Sequence, residues 1–153
     1  MVKRYLVSSR LTIISKHRNQ PEKKMTLEER LNNSETRSIR LVFPNLLNHV
    51  ETLYGGWALQ WMDEVAFITA TRFSRQTYVT VSLERIDFKK PIPSGTLVEL
   101  VGRVLRVGRT SVQVQVEIFI EQMYAEARES AIHGEFTMVA IDENRRPTAI
   151  KNP

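Results

Sequence analysis

The chain has no cysteine. Disulfide frameworks, thiolate metal sites and a thiol nucleophile are thereby excluded together. Long hydrophobic runs are missing as well. The longest apolar stretch of the first 24 residues is Leu11–Ile14, broken by Thr12, against the roughly 7–15 apolar residues of a secretory leader. Nowhere does the chain offer the roughly 20 apolar residues of a membrane-spanning helix, so a cytoplasmic location is expected. Histidine is scarce: His17, His49 and His133 are dispersed, without the helical or hairpin spacing of a metal site. His133 reads as a structural residue of a strand. No GxGxxG, P-loop or nucleophile-elbow serine is present.

What the chain does have in excess is positive charge, with a net of +5 and an isoelectric point near 9.7. On its face that suggests a nucleic-acid partner. The excess is confined to one end. Residues 1–24 hold seven Lys/Arg and a single acid, Glu22, while the other 129 residues hold 15 basic and 16 acidic side chains. Residues 1–24 therefore read as a basic extension. Their composition fits a disordered arm, a segment upstream of a true initiator at Met25, or a transit peptide. Residues 25–153 read as one domain, for which neither a nucleic-acid nor a membrane partner is expected.

Along the domain, Leu27–Leu31 suggests a short helix and Thr36–Phe43 a strand ending at Pro44. After Gly55-Gly56, the stretch Trp57–Phe73 has no Gly or Pro and reads as a helix. Apolar residues occupy nearly its whole circumference, which predicts burial on all sides. Tyr78–Phe88 alternates, then slips phase at Glu84-Arg85, which predicts a bulge. Thr96–Val107, Ser111–Gln122 and Ala127–Ile141 complete four strands with short connections, hence antiparallel pairing. One helix against such a sheet is a two-layer α+β domain. Its uncovered sheet face and edge strand argue for an oligomer.

The chemistry-bearing stretch is Asn48–Glu64. Gly55-Gly56 precedes the helix, so the N–H groups of Gly56 and Trp57 are expected at its positive end, able to polarise a carbonyl. Asp63 lies two turns further on, on one stripe with Gly56, Gln60 and Phe67. A carboxylate there can serve as general base on water. The competing reading makes Gly-Gly a plain helix start and pairs Asp63 with an arginine. Gly108-Arg109-Thr110-Ser111 offers a cation, two hydroxyls and turn amides, suited to phosphate or equally to an ordinary charged turn.

Taken in order, Asn48-x6-Gly55-Gly56-x5-Met62-Asp63, Val79-Thr80-Val81, Phe88-Lys89-Lys90-Pro91, Val107-Gly108-Arg109-Thr110-Ser111 and Phe136-Thr137-Met138-Val139-Ala140 resemble the hotdog-fold acyl-CoA thioesterases. The likeness is to the brain acyl-CoA hydrolase group and its small bacterial counterparts, over residues 36–150. It implies the hotdog fold, a curved antiparallel sheet of about five strands wrapped around one long central helix. It further implies a homodimer joined sheet edge to sheet edge, assembled into a homohexamer, with sites at the dimer interface. Asp63 then matches the family's general base, Asn48 a loop residue supplied by the partner subunit, and Gly56 the carbonyl-polarising amide. Gly55, Trp57, Thr80, Lys90, Arg109, Thr110 and Ser111 match substrate contacts, the last three at coenzyme A. Trp57, Trp61 and Tyr54 are candidate walls for the acyl chain. No cofactor is implied, since coenzyme A is part of the substrate. Departures from the family pattern are Leu46, His49 and Glu51, the last standing where glycine is usual. The alternatives are a non-catalytic acyl-CoA-binding module and nucleic-acid binding through the basic extension.

Overall fold

The computed structural model describes residues 25–151. The basic segment 1–24 and the last two residues lie outside the described residues. Helix α1, Leu27–Ser34, opens on a reciprocal cap. The Glu29 N–H donates to Thr26 Oγ1 (3.2 Å), and the Thr26 N–H donates to Glu29 Oε2 (2.8 Å). Such a cap contributes about 1 kcal/mol, and the helix runs three residues past the expected Leu31. Strand β1 follows as Thr36–Leu41, then one 3-10 turn at Pro44–Leu46, helix α2 at Gly55–Ser74, and strands β2 (Thr77–Phe88), β3 (Leu97–Val107), β4 (Ser111–Glu121) and β5 (Arg128–Ile141).

The five strands form one antiparallel sheet in the order β1-β3-β4-β5-β2. Strand β4 shows why. Val112, Val114, Val116 and Ile118 are buried while Gln113, Gln115, Glu117 and Phe119 are only half-covered, the period-two pattern of a strand with one face on a core. The inner face packs on Met62, Val65 and Ala66 of α2. The sheet is thus wrapped on one long helix, as in the hotdog architecture. The expected bulge in β2 is present: its pairing with β5 shifts register between Glu84 and Asp87, and Arg85 has a φ of 52°. A second shift, between Thr80 and Ser82, was not foreseen from the pattern.

Two expectations for the helix need correction. It begins at Gly55 rather than Trp57, because Tyr54 supplies the cap position and both glycines take helical angles. It is also not buried all round. Ala58, Met62, Val65, Ala66, Thr69 and Phe73 face the sheet, but Trp57, Gln60, Glu64 and Phe67 form an exposed stripe. One five-stranded sheet covers only part of the helix circumference.

Helix and sheet approach most closely at Gly102 on β3. A Cβ there would lie 2.4 Å from Thr69 Oγ1 and 2.8 Å from Val65 Cγ1, with the Val65 carbonyl oxygen at 3.4 Å. Gly102→Ala is expected to destabilise the fold by about 1–3 kcal/mol through overpacking. The measurement is a urea midpoint at unchanged slope; an unmoved midpoint would mean that helix and strand have slack there. At the β1 edge, hydrogen bonds from Arg103 and Arg37 hold the Glu35 carboxyl below its ordinary value of 4.5. This clasp is complete above that pH and is lost as pH falls through the lowered value.

Candidate functional site

The loop before α2 is held by its own asparagine. Asn48 Oδ1 accepts from the N–H groups of Val50 (3.0 Å) and Thr52 (3.2 Å), and Asn48 Nδ2 donates to Thr52 Oγ1 (3.1 Å). The Glu51 N–H donates to the Asn48 carbonyl, and Glu51 takes a φ of 60°. That is the left-handed region glycine favours, so the turn keeps the backbone that a glycine would take with less strain. The Tyr54 N–H donates to the Leu46 carbonyl (2.9 Å), which anchors the residue just before the helix.

The Trp57 amide, expected to point outward, donates to the Tyr54 carbonyl (2.9 Å), and the Ala58 amide shares that acceptor. The amides left without an acceptor among the described residues are those of Gly55 and Gly56. A Cβ on Gly56 would stand 2.4 Å from the Tyr54 ring, so the missing side chain keeps this backbone accessible. Asn48, Gly55, Phe88, Lys89 and Lys90 line one cleft of about 310 Å³. The Lys90 ammonium is paired there with Glu129.

Asp63 sits elsewhere. It is half-buried, and its Oδ1 accepts from the Thr80 hydroxyl of β2 at 2.6 Å. The arginine that could have paired with it goes to the next residue: Arg40 binds Glu64 and lies 5.2 Å from the Trp61 ring centroid. Trp61 is 6% exposed and belongs to the core. Of the candidate acyl walls, Trp57 and Tyr54 remain on the surface. The third patch is the β3–β4 turn. The Gly108 N–H donates to the Ser111 carbonyl (2.8 Å), and the carbonyls of Arg109 and Thr110 accept from Ile150 and Ala140. Backbone bonds therefore fix the turn, and the Arg109 side chain stays exposed.

One chain thus presents three patches. Asn48, Gly55 and Lys90 share a cleft, Asp63 is joined to Thr80, and Arg109–Ser111 form a turn. The cleft does not include Asp63. His133 stands apart on the outer sheet face, 3.2 Å from Gln115 Nε2. No group of three His, Asp or Glu side chains positioned to hold a metal occurs among the described residues. The link from Asp63 to Thr80 has one trace in the sequence: Thr80 is in phase with buried Tyr78, which puts both on the helix side of β2.

The model of the Thioesterase superfamily matches residues 51–127, from the loop before α2 to the turn before β5. The chain belongs to this thioesterase superfamily. A relative from Zymomonas mobilis, named an uncharacterized acyl-CoA thioester hydrolase, is 35% identical over 114 residues, which cover 74% of this chain and 76% of that one. An acyl-CoA hydrolase of Staphylococcus aureus, solved with butyryl coenzyme A and coenzyme A, superposes with a TM-score of 0.76 at 32% identity, covering 78% of this chain and 73% of the other. That protein was also solved as Asn-to-Ala, Thr-to-Ala and Asp-to-Ala variants. A hexameric broad-specificity acyl-coenzyme A thioesterase superposes at 0.71 and 32% identity, covering 74% of this chain and 84% of its own. This thioesterase fold contains no helix among its described residues long and apolar enough to cross a membrane.

Proposed function

We infer that the protein hydrolyses acyl-CoA to a free acid and coenzyme A. The observation that carries this reading is the Asp63 carboxylate, held by the Thr80 hydroxyl at 2.6 Å on a superfamily scaffold. In the Staphylococcus aureus protein, the three varied residues are an asparagine, an aspartate and a threonine with the same sequence separations as Asn48, Asp63 and Thr80. The thioester oxygen accepts from the free amides of Gly56 and Gly55 at the positive end of α2. Asp63 takes a proton from a water, the hydroxide adds to the carbonyl carbon, and the carbon–sulfur bond breaks. The proton passes from Asp63 to the departing thiolate. Water and this carboxylate suffice, and no cofactor takes part.

Gly56 and Asp63 are about 10 Å apart along one helix, too far for both to serve one carbonyl group. Two chains resolve this. The Asn48 cleft and glycine amides of one protomer face the Asp63–Thr80 pair of its partner. The β2 edge and the exposed stripe of α2 form the seam. Three such dimers make a hexamer, in keeping with the hexameric neighbours. Trp57 and Tyr54 wall the acyl chain, and Arg109, Thr110 and Ser111 contact coenzyme A with Lys90 nearby.

Thiol release across a series of acyl-CoA chain lengths tests the activity. Binding without release would instead make the protein a non-catalytic acyl-CoA module. Within that assay, Arg109→Gln is expected to raise KM several-fold and leave kcat nearly unchanged, since a phosphate contact acts mainly on binding. An unchanged KM would remove Arg109 from the site.

A further inference from the structure

The near-neutral domain hides a segregation of charge. Six of its cations, Arg37 and Arg103 among them, lie within ion-pair distance of a carboxylate. Lys89, at the Asn48 cleft, is exposed and makes no ion pair among the described residues, and the same holds for another six, Arg75, Arg106, Arg109, Arg145, Arg146 and Lys151. All six sit at one end of the molecule, and backbone bonds hold them there. The Ile150 N–H donates to the Arg109 carbonyl (2.8 Å) and the Lys151 N–H to Gln76 Oε1 (2.7 Å), so the C-terminal segment bridges the β3–β4 turn to the end of α2. The Asp142 N–H donates to the Arg146 carbonyl (2.9 Å), closing the turn that carries Arg145 and Arg146. Arg75 and Lys151 line a common cavity of about 470 Å³.

Two carboxylates, Asp142 and Glu143, lie among these six cations and offset part of their charge. Asp142 spends its Oδ1 on the N–H groups of Asn144 and Arg146, both at 2.9 Å. Glu143 is the other carboxylate on that cavity. Two of the arginines occupy unusual backbone positions. Arg75 has a φ of 56° and Arg145 a φ of 60°, where glycine or asparagine would be less strained. The chain carries guanidinium groups there instead.

Exposed unpaired cations on a rigid frame attract a polyanion, and guanidinium matches phosphate in a bidentate manner. This end is linked to the proposed base through β2. Thr80, which holds Asp63, lies three residues from the start of β2 at Thr77, about 10 Å along the strand, and Thr77 lines the same cavity as Arg75 and Lys151. We propose that Arg145, Arg146 and Lys151 extend the Arg109 turn into a phosphate-binding rim for the nucleotide end of coenzyme A, which carries a pyrophosphate and a 3′-phosphate. The proposal rests on the acyl-CoA reading above.

The test is the triple variant Arg145→Gln, Arg146→Gln, Lys151→Gln, compared with wild type on acyl-CoA and on the matching acyl-pantetheine, which lacks the nucleotide. The expected result is a rise in KM for acyl-CoA of at least about tenfold. KM for acyl-pantetheine should stay within twofold, and the salt dependence of the acyl-CoA KM should weaken. An unchanged acyl-CoA KM, or an equal rise for both substrates, overturns the rim. Calorimetric binding of adenosine 3′,5′-bisphosphate separates the two claims. If wild type binds it, the triple variant does not, and neither thioester is cleaved, the rim stands as an anion site while the hydrolase reading fails.

Discussion

Asp63→Ala is expected to lower the turnover of acyl-CoA at least a hundredfold, with a melting temperature close to that of wild type. A positioned general base contributes about 10²–10⁴ in rate. Asp63 is half-buried and its one hydrogen bond among the described residues comes from Thr80, so its removal leaves no buried charge stranded there. Asp63→Asn sharpens the test. The amide keeps the shape and can still accept from Thr80, but it cannot take a proton from water. The same hundredfold loss is therefore expected. Turnover within twofold of wild type in the Asn variant would refute the general-base role. Thr80→Val should act through Asp63 alone: kcat falls by roughly tenfold and KM barely moves.

Val81→Glu should separate the protomers and abolish turnover by about a hundredfold or more. Strand β2 is a sheet edge, and such edges present unpaired N–H and C=O groups to another chain. Val81 lies at the first register shift of that edge and is 62% exposed, beside exposed Val79, Leu83 and Phe88. The exposed stripe of α2, with Phe67 44% exposed, continues this apolar surface. A glutamate there puts one charge from each copy into an apolar seam, where an unpaired carboxylate is costly. In the proposed shared site, loss of the partner takes the base away from the amides and so costs the full contribution of general-base catalysis. Sedimentation and thiol release read both effects together. A variant that remains dimeric and active moves the seam elsewhere, and an active monomer refutes the shared site.

Much of the architecture was legible because one face of β4 and of β5 is buried in alternation. The alternation from Val112 to Ile120 places β4, and the phase slip at Glu84-Arg85 locates a real bulge. What escaped depends on groups far apart in sequence. Gly-Gly reads as a helix breaker by propensity, yet α2 starts on it because Tyr54 is anchored to Leu46 across the loop. The same anchoring engages the Trp57 amide and leaves those of Gly55 and Gly56 available. Trp57, Trp61 and Phe67 are alike as letters, and only the extent of the sheet makes Trp61 core and the others surface. For the site, Asp63 and the glycine pair were legible as chemistry at a helix start. Beyond its phase with Tyr78, Thr80 was legible only through resemblance, because a contact between β2 and α2 leaves no short spacing to read. Whether Asn48 and Asp63 meet cannot be decided by spacing within one chain. The cleft that holds Asn48 without Asp63 points to a second chain.

In the proposed site, whose two halves come from different copies, damage is inherited in an unusual way. A population that mixes chains altered at Asn48 with chains altered at Asp63 contains pairs in which both lesions fall on the same one of the two sites. The other site of such a pair is then built wholly from intact halves. Two alleles, each inactive alone, would together restore part of the activity, a behaviour reserved for enzymes whose working unit is larger than their chain.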